Sequence, residues 1–524
     1  MPASSLGSAT NAPAENRRSL PLAELSSARF VLAALGAVTI FSVFYQQRWG
    51  TIADTSWLIT VCERVLAGER LYVGVIETNP PFSVWLYMPP VALANALGVR
   101  PEVLVHAWTY IAAITGLVFA GVIVRRARFP ESGALFGLAP VFYALLVIMP
   151  GNAFSQREHI AMALFLPLLA LTAWRARGDA VAVTPTAGIA ALAGLCGSVL
   201  VLVKPYYALM VVAPALFVAL RQRSVRPLLA PEYWAIGAAC AAYLALVAIF
   251  HREFISDIYP MVAETYVQVS FLQKILSRFA FPYAVVMALI WWLSRLRGMS
   301  ELSTVATLAS LAGIVCLVHQ GKGFAYHGYP ALFCALVALC CLLALPRREA
   351  PDGLAAHVPF FAAIVPVASL LAAIFACMPF RATWKPNTEL VQTVKAAVDK
   401  PTVAQIGSDL AVGHPFSRLI GGRWVSAYSS DWPGTFALIL RERAGSGGDA
   451  DRYLAIADDY TARKRSELDR LRPDLILTQN NDIFWHKIMA DSDGLAPFLE
   501  AYRPLAEDGA MRILIRKDYR PPAF

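Results

Sequence analysis

For its first three-quarters the chain alternates long apolar runs with short polar breaks. The runs cover roughly 30–47, 82–98, 103–124, 132–149, 160–174, 184–203, 206–220, 233–250, 279–294, 302–319, 329–345 and 357–379. Each comes near the roughly 20 residues that a helix needs to cross a bilayer. Residues 380–524 contain no such run, and the pattern there changes. The stretches 402–406, 475–478 and 511–515 are short and apolar, as buried strands are, while 451–471 has the spacing of an amphipathic, charge-laced helix. Pro473 and Asp474 mark the turn into the second of these strands. The predicted fold class is an α-helical polytopic membrane protein with a soluble C-terminal α/β domain.

Charge then sets the orientation. Of 524 residues 57% are hydrophobic and 15% charged, with a mean hydropathy of +0.54, whereas soluble proteins carry about 25% charged residues. The net charge of +9 is uneven: residues 380–524 hold 20 Lys/Arg and 19 Asp/Glu, leaving 25 and 17 for residues 1–379. A basic excess in the membrane part is what the positive-inside rule produces; no nucleic-acid motif accompanies it. If all twelve runs crossed, Arg125, Arg126, Arg128 and every later basic cluster would face outside. If 82–98, interrupted by Pro89 and Pro90, lies instead along the outer surface, six clusters face the cytoplasm: Arg17/Arg18, Arg125/Arg126/Arg128, Arg175/Arg177, Arg221/Arg223/Arg226, Arg295/Arg297 and Arg347/Arg348. That single change predicts about eleven spanning helices plus an outer juxtamembrane helix. The domains are then a disordered cytoplasmic N-terminus (1–28), a transmembrane domain (29–379) and an extracytoplasmic domain (380–524). No small-residue cleavage site follows the first run, so the first helix is expected to be retained.

Seven of the eight cysteines lie in or beside apolar runs and act as small hydrophobes. Residues 380–524 hold none, and no CxxC pair suggests zinc. Neither a P-loop nor a GxGxxG motif is present; Gly421-Gly422 and 445–448 are loop signals.

The predicted topology puts 48–81, 150–159, 251–278 and 320–328 on one outer face, and the chemistry-bearing residues sit there. Asp54 follows the first helix. It has the chemistry of a general base for a hydroxyl acceptor, and equally that of an N-cap for a helix starting at Thr55. Glu77 closes the same loop. Arg157, Glu158 and His159 place a fixed cation, a carboxylate and an imidazole at one helix start, where ionisable groups at membrane depth are costly. Lys204, between two apolar runs, can hold a phosphate as a point charge or snorkel to headgroups. Around Lys322, two glycines, His319, His327, Tyr326 and Tyr329 have the composition of a phosphate clamp. The segment 251–278 adds His251, Asp257, Glu264, Lys274 and Arg278 as a lid over the site.

Taken in order, Asp54, the stretch 66–72, Asn79-Pro80-Pro81 leading to Trp85, and Arg157-Glu158-His159 resemble the GT-C glycosyltransferase superfamily over most of 50–330. Within it the pattern is most similar to the bacterial lipid A aminoarabinose and galacturonic acid transferases and to the protein mannosyltransferases. The resemblance implies a sugar donor linked to polyprenyl phosphate, a lipid or glycan acceptor, and an outer cavity. It implies Asp54 as catalytic base, with Glu158 or His159 supporting donor or acceptor. Arg157, Lys204, Lys322 and His327 become candidate donor-phosphate contacts, the last three on charge and placement more than on a family motif. Glu77, Arg278 and Tyr326 are further candidates. Many relatives carry an Asp where this chain has Glu158-His159. No cofactor is called for, and a divalent metal is the one addition the pattern admits. The expected setting is the bacterial inner membrane with the active site facing the periplasm, and no nucleic-acid partner. A flippase of lipid-linked sugars would show inverted repeats and polar residues at the midplane; no repeat is present and the ionisable residues gather at one face. A surface-polysaccharide polymerase or ligase would share the donor but not the early Asp loop.

Overall fold

The computed structural model describes residues 28–48, 50–177, 183–346, 358–381, 387–479, 481–490, 495–509 and 511–520. The expectations for residues 1–27, including Arg17 and Arg18, and for Arg347 and Arg348 lie outside the described residues. Among the described residues seven helices are long and apolar enough to cross a membrane: Ala28–Gln47, Pro101–Arg126, Arg157–Ala176, Pro231–Phe250, Leu272–Arg297, Glu301–Gln320 and Ala325–Ala344. Shorter apolar helices cover Phe82–Leu97, Ala187–Val203, Pro205–Arg221 and Ile364–Phe380.

Two expected runs are broken in instructive ways. The run 132–149 becomes Ser132–Gly137 and Ala139–Val147, parted just before Pro140, which has no N–H to continue a helix. The run 82–98 divides into Phe82–Trp85 and Met88–Leu97, and its break precedes the prolines. Pro89 and Pro90 do not interrupt a helix; they occupy the first turn of the second one, where a missing N–H costs nothing. That ten-residue helix rises about 15 Å, half of a bilayer's hydrocarbon core of about 30 Å.

Burial separates core spans from lipid-facing ones. Arg157–Ala176 and Ala325–Ala344 are each 89% buried over their apolar windows, against 6% for Pro231–Phe250. The first is gripped closely by Pro101–Arg126 at Gly116, where a Cβ would stand 1.9 Å from the Ala163 carbonyl oxygen, so only glycine permits the crossing. At one end of the bundle the basic clusters meet. Arg177 donates to the Ala127 carbonyl at 2.6 Å, Gln222 to that of Arg175 at 2.6 Å, Arg221 pairs with Glu301 at 2.7 Å, and Arg297 donates to Leu343 and Leu345 at 2.8 Å. The other end gathers 50–81, 150–159, Lys204 and 320–327.

The C-terminal part is a five-stranded sheet: β1 Thr402–Ile406, β2 Arg423–Trp424, β3 Leu475–Gln479, β4 Tyr502–Asp508 and β5 Met511–Arg516, in the order β2-β1-β3-β5-β4. β2, β1 and β3 are parallel; β5 and β4 are antiparallel additions. The central strands are the apolar stretches legible in the sequence, because strands covered on both faces read as continuous hydrophobic runs. β4 was not legible: an edge strand tolerates Pro504 and polar side chains. The helix expected at 451–471 spans Gly448–Leu471.

This sheet region is seated on the first loop. Arg418 pairs with Glu63 and, at 2.8 Å, with Glu102; Arg64 donates to the Ser426 carbonyl at 2.6 Å; and Ile76 N–H donates to Ala427 at 2.8 Å. The segment 251–278 is coiled into short α- and π-helical turns, not an irregular loop. It lies between the bundle and the sheet region, with Tyr266 packed on Trp432 and Phe436, and Glu264 paired with Arg452.

Candidate active site

Asp54 lies on the helix Ala53–Leu66, in its first turn. It is not the N-cap: that position is Ile52, and no side chain caps this end. The helix starts earlier than the Asp-as-cap reading required, which frees the carboxylate for other partners. Its Oδ1 accepts a hydrogen bond from the Tyr326 hydroxyl at 3.1 Å, across 272 residues of chain. Burial raises the Asp54 pKa; Arg157 opposes that, Glu158 adds to it, and the Tyr326 bond opposes it.

Opposite stands the start of Arg157–Ala176. The turn before it is held by buried contacts: Ser155 adopts φ +65°, its carbonyl accepts from Tyr87 at 2.6 Å, and its hydroxyl accepts from Thr109 at 2.9 Å. A non-glycine residue in that region costs of order 1–3 kcal/mol and persists only where surroundings impose it. Arg157 is buried, with a guanidinium nitrogen 3.8 Å from Glu77, and its Nε has no hydrogen-bond partner among the described residues. Glu77 is fastened by three donors: Trp57 Nε1 at 2.6 Å, the Asn79 amide at 3.0 Å and Asn79 Nδ2 at 2.5 Å.

Lys204 ends Ala187–Val203 in an extended conformation, as a residue before proline prefers. That break turns its ammonium inward, 2.6 Å from Glu158 and 5.7 Å above the Tyr326 ring. Asp54, Glu77, Arg157, Glu158, Lys204 and Tyr326 therefore form one connected group, at the N-terminal ends of the two most enclosed spans, where helix dipoles favour anions.

The other predicted residues take different work. His159 is occupied on both ring nitrogens by the backbone: Nδ1 accepts from Ser155 N–H at 3.2 Å, and Nε2 bonds the Leu146 carbonyl at 2.5 Å. These two bonds tie the ring to the turn before the helix. The Lys322 ammonium donates to the carbonyls of Tyr266 and Val269 and sits 4.3 Å over the Tyr266 ring. It clasps the 251–278 segment, and so does Arg278, through the Gly323 carbonyl at 3.1 Å. The glycines around Lys322, at φ +71° and +66°, let the chain turn tightly on either side of this clasp. Burial and Arg443 push the Lys322 pKa down to about 8. His327 packs on Tyr326 at 4.4 Å and shares a hydrogen bond with the Gln320 amide at 2.8 Å; its Nδ1 is buried without a partner among the described residues. Among the described residues no group of three or more His, Cys, Asp or Glu side chains could hold a metal ion. The sequence reading missed Trp57, although its i+3 spacing from Asp54 puts the two on one helix face.

No protein-family model matches the chain, and no curated protein sequence matches it. Among solved structures it is similar to ArnT from Cupriavidus metallidurans bound to undecaprenyl phosphate. The TM-score is 0.56 at 13% identity, over 93% of this chain and 98% of that one. It also matches the oligosaccharyltransferase of Archaeoglobus fulgidus in the apo form, with a TM-score of 0.45 at 12% identity over 91% of this chain and 73% of that one. The likeness to ArnT over 93% of the chain shows a shared fold.

Proposed function

We propose that this protein is an inverting glycosyltransferase that moves a sugar from a polyprenyl-phosphate carrier to a hydroxyl acceptor. The observation that carries the reading is the meeting of Asp54 with Arg157 and Lys204 at the starts of the two most buried spans. Asp54 takes the proton from the acceptor hydroxyl. The acceptor oxygen bonds to the anomeric carbon as the bond from that carbon to the phosphate oxygen breaks. Arg157 and Lys204, with the helix N-termini, offset the charge growing on the leaving phosphate. The fold shared with an ArnT bound to undecaprenyl phosphate supports a carrier of that class. The test is transfer from a synthetic polyprenyl-phosphate sugar by the purified protein in nanodiscs; no transfer to any envelope lipid or glycan fraction would overturn the reading.

The direction of the Asp54 shift makes a prediction about pH. A carboxylic acid with a raised pKa stays protonated to higher pH, and a general base works only when ionised. Transfer should therefore rise with pH through a limb lying above the ordinary Asp value of about 3.9. The pH profile of kcat/KM checks this. A limb at or below about 4 would contradict a desolvated base.

We place the site and the region 387–520 outside the cytoplasmic membrane, with about eleven crossings and 82–98 at the outer surface. The gathering of four arginine clusters at the opposite end supports this orientation. Single cysteines at Ser446 and Arg126 should react with an impermeant maleimide at the first position only, in intact cells. Labelling at 126 from outside would invert the topology.

A further inference from the structure

The helix Ala53–Leu66 has two clients. Its Asp54 faces the bundle, while Thr55–Cys62 are buried without interruption. The sheet region covers it through Arg418, which bonds Glu63 and Glu102. Between these contacts lies Trp57, 3% exposed. Its indole packs on His414 at 5.2 Å and on Trp424 at 6.5 Å, both from the sheet region. Its N–H is spent in the other direction, on the Glu77 carboxylate at 2.6 Å. Glu77 in turn pairs with Arg157, at 3.8 Å. His414 and Trp424 also pack on each other at 4.4 Å. Burial and Arg418 push the His414 imidazole down to about 3, so this wall is neutral at working pH.

We propose that Trp57 is a positioning residue through which the docked C-terminal region sets Glu77 and, by way of Glu77, the Arg157 guanidinium. A buried carboxylate fastened by fixed donors has one orientation, and the cation facing it inherits that orientation. The C-terminal region is thereby a working part of the catalytic unit. Trp57 touches neither donor nor acceptor in this scheme; it acts at one remove. The inference rests on Arg157 holding the carrier phosphate, as in the proposed function.

The experiment compares wild type, Trp57→Phe, Glu77→Gln, the double variant and Arg418→Gln, as full-length protein in nanodiscs. Two quantities are read: transfer from a polyprenyl-phosphate sugar, and binding of polyprenyl phosphate alone by native mass spectrometry. Phe keeps the aromatic contact with His414 and Trp424 and loses only the N–H. Trp57→Phe should lower kcat/KM for the donor about tenfold, as the loss of one charge-assisted hydrogen bond does, and weaken phosphate binding, with the melting temperature little changed. Its effect should vanish in the Glu77→Gln background, because the route through Glu77 is already cut. Arg418→Gln, which loosens the docking from the far side, should reproduce the loss. Wild-type values for Trp57→Phe, or an undiminished effect in the Glu77→Gln background, would overturn the inference. Wild-type protein that neither transfers nor binds the phosphate would instead overturn the proposed function.

Discussion

Asp54→Asn is expected to leave a folded, nearly inactive protein. Asparagine has the same shape, and its Oδ1 can still accept the hydrogen bond that Tyr326 donates at 3.1 Å. Position 54 is in the first helical turn and not at the cap, so the change forfeits a dipole interaction of about 0.3–1 kcal/mol and the attraction of Arg157, while it relieves the burial of a charge. What is lost outright is the capacity to take a proton. General-base loss costs about 10²–10⁴-fold in rate, and that range is expected in kcat, measured in nanodiscs and normalised to folded protein by size-exclusion profile. Activity within a few-fold of wild type would remove Asp54 from the chemistry and turn the reading toward transport or binding. Binding of the carrier phosphate should survive, since the cations are untouched; its loss would point to a donor-binding role for Asp54.

The second large effect concerns the Lys204–Glu158 pair, which is closed at 2.6 Å with both side chains nearly inaccessible, 7% and 0%. Removing one partner of a buried pair leaves the other charge uncompensated and costs about 3–5 kcal/mol. Lys204→Met should therefore lower the melting temperature markedly. Adding Glu158→Gln removes the stranded charge and should recover most of that stability. Turnover should not recover, because the cation beside the leaving phosphate is still missing. The two readouts separate a structural pair from a functional one. A double variant with wild-type kcat would show that Lys204 serves only to neutralise Glu158, leaving Arg157 as the single phosphate contact of the group.

His159 and Lys322 show how little residue type alone says about a side chain's partners. An imidazole at a helix start and a lysine between glycines have the chemistry of a site, and each would suit one if left free. His159 is instead consumed by the carbonyl of Leu146 and the amide of Ser155, and Lys322 by carbonyls more than fifty residues earlier in the chain. Those partners are backbone groups, which no side-chain pattern advertises. Tyr326 was legible as a neighbour of the Lys322 loop, but its bond to Asp54 crosses 272 residues.

The sequence by itself determined the membrane class, the positions of the long helices and the three inner strands of the C-terminal sheet. These follow from local physics: a backbone in lipid must satisfy its hydrogen bonds within the segment, so the length of an apolar run reports a helix, and a strand buried on both faces is apolar throughout. Only the tertiary structure decided which charged groups meet and which are already spent, because a charge's role depends on the partner that packing brings within a few ångströms. It joined Asp54 to Tyr326, Glu158 to Lys204 and Arg157 to Glu77. It also laid the C-terminal region against Trp57, a contact between residue 57 and residues 414 and 424 that no local pattern encodes.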